Sequence, residues 1–261
     1  MNENRRAPEV VILAAGYATR LYPLTLTTPK PLLQVAGKAI LEHIVDDIST
    51  IEGISKIHIV GNDKFAPHFE EWLARFAPRH PHLRIEYTND GSTNETDKRG
   101  AIGSLNLVLR NKKLTGDVLV IAGDNLFGDS LAAFVRHAQS ISAPLIGAHD
   151  VGSPDETRKY SVISLDKTGR VTEFIEKPEH PTGSMIAVAL YHYPASTLSF
   201  IEKYLAEGNN PDQPGRLVQW LYTRTPVYAR HVSDTWFDIG SKEMLEEADR
   251  VFKARNKSLS R

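Results

Sequence analysis

Val10-Val11-Ile12-Leu13-Ala14-Ala15-Gly16-Tyr17-Ala18-Thr19-Arg20-Leu21 decides how this chain folds. Its first residues are an unbroken apolar run, the mark of a strand buried on both faces. A glycine and then an arginine follow at once. A glycine lets backbone N–H groups approach phosphate oxygens closely, and arginine adds a fork of donors suited to the same group. A bare strand-end turn would carry the same two residues, so the stretch alone leaves both readings open. Two better-defined phosphate motifs fail. A dinucleotide fingerprint needs further glycines where Ala18 and Leu21 stand, and a P-loop needs Ser or Thr where Ala39 follows Gly37-Lys38.

Outward from that strand, apolar runs alternate with helical periodicity. The spacing predicts helices over 40–51, 65–76 and 102–109, and strands over 56–60, 84–87 and 117–122. Strand then helix, repeated, builds a parallel sheet covered on both faces. The second half changes character. Segments 161–166 and 171–175 flank Lys167-Thr168-Gly169-Arg170, a hairpin signal. A strand is expected over 186–193, with helices near 196–206, 216–222 and 242–253. No Gly-, Ser- or Pro-rich linker divides the halves. The expected fold is a single Rossmann-like α/β/α domain over 1–261, with a mainly parallel mixed sheet and a small antiparallel addition.

The 261 residues are 41% hydrophobic and 24% charged, ordinary for a globular chain. Lys and Arg total 31 against 32 Asp and Glu, a net charge of -1. That balance argues against a general nucleic-acid binder, whose footprint would be basic, and leaves room for a local basic pocket for a small anion. The absence of Cys excludes disulfides, thiolate zinc sites and thiol catalysis. No apolar run has the length of a membrane span, and the polar start from Met1 to Glu9 has no signal-peptide core. A soluble, cytoplasmic protein without a membrane partner is expected. The histidines, among them His58, His68 and His137, are scattered and read as strand or surface residues.

The opening stretch continues into Leu21-Tyr22-Pro23-Leu24-Thr25 and Thr28-Pro29-Lys30-Pro31-Leu32-Leu33. Gly123-Asp124-Asn125 follows the fourth strand, Phe174-Ile175-Glu176-Lys177-Pro178 follows the hairpin, and Trp236-Phe237-Asp238-Ile239-Gly240 precedes the last helix. Any one of these is weak. In this order along one chain they closely resemble the sugar-1-phosphate nucleotidyltransferases, the family of glucose-1-phosphate thymidylyltransferase and its uridylyl and cytidylyl relatives. Three positions depart from the family pattern. Ala18 stands where glycine is usual, Ser161 follows Tyr160 where thymidylyltransferases have Tyr-Gly, and Val188 replaces a small polar residue.

The resemblance implies transfer of a nucleotidyl group from a nucleoside triphosphate, TTP or UTP favoured, to a sugar 1-phosphate with release of pyrophosphate. It divides the chain into a nucleotide-binding half, about 8–150, and a sugar-phosphate half, about 151–261. The nucleotide would be bound by Leu13, Ala15, Gly16, Thr19, Arg20, Lys30, Asp90, Gly100 and Asp124. Tyr160, Glu176, Lys177 and Val188 would meet the acceptor. Arg20, Lys30, Asp124, Lys177 and Asp238 carry catalysis on this reading, with one Mg²⁺ between Asp124 and Asp238. Residues 91–99, polar and longer than in thymidylyltransferases, are either a plain insertion or an element of base choice. Self-association is a further expectation, since relatives commonly self-associate. No hexapeptide repeat follows Arg250, so a fused acyltransferase activity is not expected. Two alternatives stand beside this reading. One is a cytidylyltransferase for a sugar or an alcohol phosphate such as choline phosphate. The other is a non-catalytic regulatory protein on the same fold, against which the joint retention of the five catalytic candidates argues.

Overall fold

The computed structural model describes residues 7–259. The part of the polar start before Ala7 therefore lies outside the described residues. In chain order the elements are β1 (Glu9–Leu13), β2 (Gln34–Val35), β3 (Lys38–Ala39), α1 (Ile40–Ser49), β4 (Lys56–Gly61), α2 (Ala66–Phe76) and β5 (Arg84–Asn89). Then come α3 (Ala101–Asn111), β6 (Val118–Ala122), β7 (Asn125–Phe127), α4 (Ala132–Ser140) and β8 (Leu145–Asp150). The second half holds β9 (Ser161–Leu165), β10 (Val171–Glu176), β11 (Met185–Tyr193), α5 (Ser199–Ala206), α6 (Pro214–Leu221), β12 (Tyr228–His231), β13 (Trp236–Asp238) and α7 (Lys242–Leu259).

Strand β1 lies at the centre, parallel to β4 on one edge and to β6 on the other, with β5 parallel beyond β4. Strand β11 then runs antiparallel to β6. One edge of β11 lies along β8, and its other edge is shared by β9 and β6 in turn. The register shifts between Val188 and Tyr191. The hairpin of β9 and β10 closes one side of the sheet, and β12 joins β8 in parallel.

The alternation of β1 explains the layers. Val10 and Ile12 point into a core with Ile40, Ile44, Phe69, Trp72, Phe134 and Phe252, from α1, α2, α4 and α7. Val11 points the opposite way, into a core with Ile102, Leu105, Ile201, Tyr204, Leu217 and Val218, from α3, α5 and α6. Both faces of β1 are covered, so an unbroken apolar run is what its position demands. The domain is one three-layer α/β unit, with its parallel strands ending toward the loops of residues 14–20, 90–100 and 123–124.

Helix α4, strand β8 and the short strands β2, β3, β7, β12 and β13 were not anticipated. Strand β8 contains Gly147-Ala148, which lacks the branched signature of a strand. A Cβ at Gly147 would lie 2.7 Å from Val188 Cγ2, so close packing against β11 selects the glycine. No described helix is long and apolar enough to cross a membrane.

The start of α3 shows how the two halves are joined. Gly100 has φ of 75°, and a Cβ there would lie 2.5 Å from the Pro211 carbonyl oxygen. The Ile102 N–H donates to that same carbonyl at 2.8 Å. Gly100→Ala should therefore cost about 2–5 kcal/mol, from backbone strain and overlap together. Urea unfolding at fixed m-value checks it, and an unchanged midpoint would refute the joint.

Candidate active site

The loop after β1 is built before any ligand arrives. Ala14 N–H donates to Val60 O, and Gly123 N–H donates to Leu13 O, so the loop leaves the sheet pinned on both sides. The buried Asn62 donates through Nδ2 to Ala15 O at 3.0 Å. Ala18 then turns left-handed, with φ 49° and ψ 44°. Here lies the reason glycine is usual at this position: an L residue in that region is strained. The buried Thr25 hydroxyl donates to Ala18 O at 2.8 Å and holds the turn. A Cβ at Gly16 would meet nothing within 4 Å, so the loop's open side faces the cleft.

Lys30 is not a solvated loop lysine. Its side chain is 12% exposed, and its ammonium lies 2.5 Å from Asp124 Oδ2 and 2.7 Å from the Ile239 carbonyl oxygen. Asp124 follows β6, and Ile239 follows β13. The pairing of β13 with β7 sets Asp238 opposite Asn125, and Ile239 N–H donates to Asp124 O at 3.0 Å. Burial works to raise the Asp124 carboxyl, but the charge and hydrogen bond of Lys30 outweigh it and hold the group below the usual carboxylate range. Asp238 is pushed the other way, up to about 6, by burial and by the charge of Asp124, with Lys30, Arg20 and Lys159 only partly offsetting them. Among the described residues the Asp238 carboxylate has no hydrogen-bond or ion-pair partner. Ser241 rather than Asp238 accepts from the α7 backbone, at Met244 N.

An orphaned carboxylate beside a second carboxylate fits a divalent cation. The described residues hold no group of three or more acidic, His or Cys ligands. The protein would supply one or two carboxylates and leave the remaining positions to phosphate oxygens and water, a donor set that suits Mg²⁺.

These groups open into one cleft of about 460 Å³. Leu13, Ala15, Gly16, Thr19, Arg20, Lys30, Asp90, Gly100, Asp124 and Asp238 line it, and so do Tyr160, Glu176, Lys177 and Val188. The structure thus brings the candidate nucleotide, acceptor and catalytic residues named from the sequence to one cavity at one edge of the sheet, where open α/β sheets hold ligands.

The nucleotidyl transferase family model matches residues 9–254. The chain belongs to that family. Among curated proteins, the chain is 26% identical over 243 residues to the bifunctional protein GlmU of Methanocaldococcus jannaschii, covering 93% of this chain and 53% of that protein. It is 28% identical over 185 residues to the UTP–glucose-1-phosphate uridylyltransferase AglF of Haloferax volcanii, covering 71% of each. It spans about half the length of the bifunctional relatives. Among solved structures, it superposes with a TM-score of 0.82 on a Bacillus anthracis protein assigned as a glucose-1-phosphate thymidylyltransferase, at 22% identity over 95% of this chain and 96% of that one. A UDP-glucose pyrophosphorylase complexed with UDP-glucose gives 0.77 at 19% identity, over 95% and 99%. At those identities the superpositions speak for the fold.

Within this member of the family, several predicted residues are placed differently from the simplest expectation. Asp90 is 2% exposed. Its carboxylate accepts from Ser92 N and Oγ and from Ser104 Oγ, at 2.7–2.9 Å, so protein donors occupy it. Gly100 serves the contact with Pro211 described above. Arg20 and Lys177 are exposed at the cleft and have no carboxylate partner among the described residues. Lys177 has φ of 49°, and its N–H donates to Tyr160 O at 3.0 Å, which turns the chain into Pro178. Tyr160 packs edge-on against Trp236. Burial, with Asp238 nearby, pushes its phenol up to about 12, so it remains a donor at neutral pH.

Residues 91–99 form an ordered turn at the rim. Asp97 accepts from Thr93 and Asn94, and Lys98 lies 3.0 Å from Asp212. Glu95 and Lys98 line the cleft. Sequence reasoning also missed Asn62, Lys159, Ser161 as a partner of Glu176, Asp212 and Gly215. Only Ser161 carried a signal, as a departure from the family pattern.

Two outcomes follow from this geometry. Ala18→Gly should raise stability by about 0.5–1 kcal/mol, left-handed strain relieved against added chain entropy; denaturant unfolding reads it. Asp238 has a folded value above its ordinary 3.8, so the folded state holds the extra proton between about pH 4 and 6 and stability falls as pH rises through that window. Asp238→Asn should then stabilise the metal-free protein by roughly 1–3 kcal/mol at pH 8 and by little at pH 4. A gain independent of pH would refute the assignment.

Proposed function

We propose that this chain joins a nucleoside triphosphate, UTP or TTP, to a sugar 1-phosphate and releases pyrophosphate, with Mg²⁺ held by Asp124 and Asp238. The observation that carries the reading is the single cleft. The loop of Gly16 and Arg20 and the Lys30–Asp124–Asp238 cluster line it together with Tyr160, Glu176 and Lys177. The relatives support the choice of base: AglF is a UTP–glucose-1-phosphate uridylyltransferase, and the solved neighbours are a thymidylyltransferase assignment and a UDP-glucose pyrophosphorylase.

The nucleotide takes the half of the chain before about residue 150, and the acceptor takes the half after it. A phosphate oxygen of the acceptor attacks the α-phosphorus in line, and pyrophosphate leaves opposite. That oxygen is already an anion, so no general base is needed. The protein's tasks are positioning and charge neutralisation. The backbone around Gly16 receives the triphosphate, and Arg20 meets its phosphates. Lys30 holds Asp124 in place and puts a positive charge beside the leaving group. Lys177 meets the acceptor phosphate, and Glu176 accepts from sugar hydroxyls. Mg²⁺, when bound, neutralises and orients phosphate oxygens.

A matrix of TTP, UTP and CTP against sugar 1-phosphates and alcohol phosphates, read by pyrophosphate release, tests the reading. Release with a sugar 1-phosphate and UTP or TTP is expected, and release with none of the pairs would refute it. Lys177→Ala should raise the acceptor KM about 10–100-fold, the equivalent of losing 1.5–3 kcal/mol of charge-assisted hydrogen bonding. The triphosphate KM should stay within about twofold. Equal rises in both would remove Lys177 from the acceptor site.

A further inference from the structure

Glu176 stands in a socket that the motif around it does not contain. The antiparallel register of β9 and β10 sets Ser161 directly opposite Glu176. Side chains of such a pair share one face of the sheet. The Ser161 hydroxyl accordingly donates to Glu176 Oε2. The first turn of α6 closes the other side. A Cβ built at Gly215 would overlap that same Oε2, and would come 2.5 Å from Ser161 Oγ. One turn further along α6, Gln219 Oε1 accepts from the Glu176 N–H at 2.9 Å. The three residues come from two elements and converge on Glu176, Ser161 and Gly215 at its carboxylate and Gln219 at its backbone. Oε1 has no hydrogen-bond partner among the described residues. Ser161, Glu176 and Gly215 all line the cleft, beside the apolar side chains of Ala187, Val188 and Ala189.

We propose that Ser161, Gly215 and Gln219 are positioning residues that hold Glu176 with one carboxylate oxygen committed and the other presented to a hydroxyl of the acceptor sugar. The proposal rests on the acceptor reading of this part of the cleft. Each residue has a separate task. Ser161 fixes the rotation of the carboxylate by holding one oxygen. Gly215 supplies the space in which that oxygen lies, which any side chain would fill. Gln219 fixes the backbone from which the side chain springs. A carboxylate held this way offers one oxygen rather than both to a vicinal diol, so the sugar is read through a single directed acceptor. Val188 and its neighbours offer no side-chain donor or acceptor to the remaining hydroxyls. Acceptor preference in this chain therefore depends on a serine where thymidylyltransferases have glycine.

The test is equilibrium binding by titration calorimetry with UDP, UDP-glucose, TDP and TDP-glucose. The readout is the ratio of Kd for the nucleotide to Kd for the matching nucleotide sugar. A ratio above one is expected for the unaltered protein. Ser161→Ala should reduce that ratio roughly 3–10-fold, about the loss of one hydrogen bond. Ser161→Thr keeps the hydroxyl and should restore most of the ratio. Gly215→Ala should reduce it at least as far, by pushing the carboxylate aside. Kd for UDP and TDP should stay within about twofold throughout. Ratios unchanged in Ser161→Ala and Gly215→Ala would overturn the proposal, even with lowered melting temperatures, since that would mark a structural role alone. A ratio of one in the unaltered protein would overturn it too. If Gly215→Ala does not fold, the alanine and threonine variants at Ser161 decide. Failure to bind any of the four ligands would count against the cleft reading itself. Binding of nucleotides without a change in ratio counts against the socket alone.

Discussion

The ammonium of Lys30 holds this site together. It is almost out of solvent, which is costly for a charge unless partners replace the water. The Asp124 carboxylate and the Ile239 carbonyl do so. Those partners come from distant parts of the chain, so one side chain fastens the loop after β1, the end of β6 and the strand before α7. Pro29 and Pro31 limit the backbone on either side of it. The small ladder of β7 and β13 and the Ile239 N–H to Asp124 O bond set Asp238 beside Asp124, and Lys30 ties that ladder to the loop after β1.

The same cluster explains an electrostatic imbalance. Lys30 satisfies one carboxylate and leaves the other with a like charge for a neighbour. Arg20, Lys159 and Lys177 lie around the cleft without carboxylate partners among the described residues. Positive charge is thus distributed along the walls, while Asp124 and Asp238 set two carboxylates side by side and Glu95, Glu176 and Asp212 add further negative charge to the lining. On the proposed reading, phosphate groups would meet the walls and a divalent cation would meet the Asp124–Asp238 pair. The arrangement is costly to the empty protein and favourable to an occupied one, as expected where sites are preorganised for charge.

Much of this was legible in the sequence because it was local. The strand of Val10 to Leu13 announced its burial through its own residues, and the alternation after it gave the parallel half of the sheet. The order of motifs brought out Lys30, Asp124, Glu176, Lys177 and Asp238. What stayed hidden depends on contacts between distant residues. Gly147 replaces a branched residue because Val188 fills its space, so β8 does not look like a strand. Asp90 looks like a free carboxylate until Ser92 and Ser104 are seen to occupy it. Gly215 carries no motif at all, and its meaning lies in an oxygen from another strand. Ala18 was visible as a departure, but only its left-handed backbone explains why glycine is the usual choice.

The segment from Pro211 to Gly215 has a consequence for how such a site can diversify. At one end it receives the start of α3 and Lys98, beside the rim of residues 91–99. At the other end it makes room for the Glu176 carboxylate. Only a few peptide bonds separate the two. Only Gln213 and Pro214 lie between Asp212 and Gly215, and the proline ring fixes one of the few dihedrals that could absorb a displacement. The two ends of the cleft are not separate characters on which mutation acts independently. A substitution that moves the rim at Asp212 would thus also bear on the space that receives the Glu176 carboxylate.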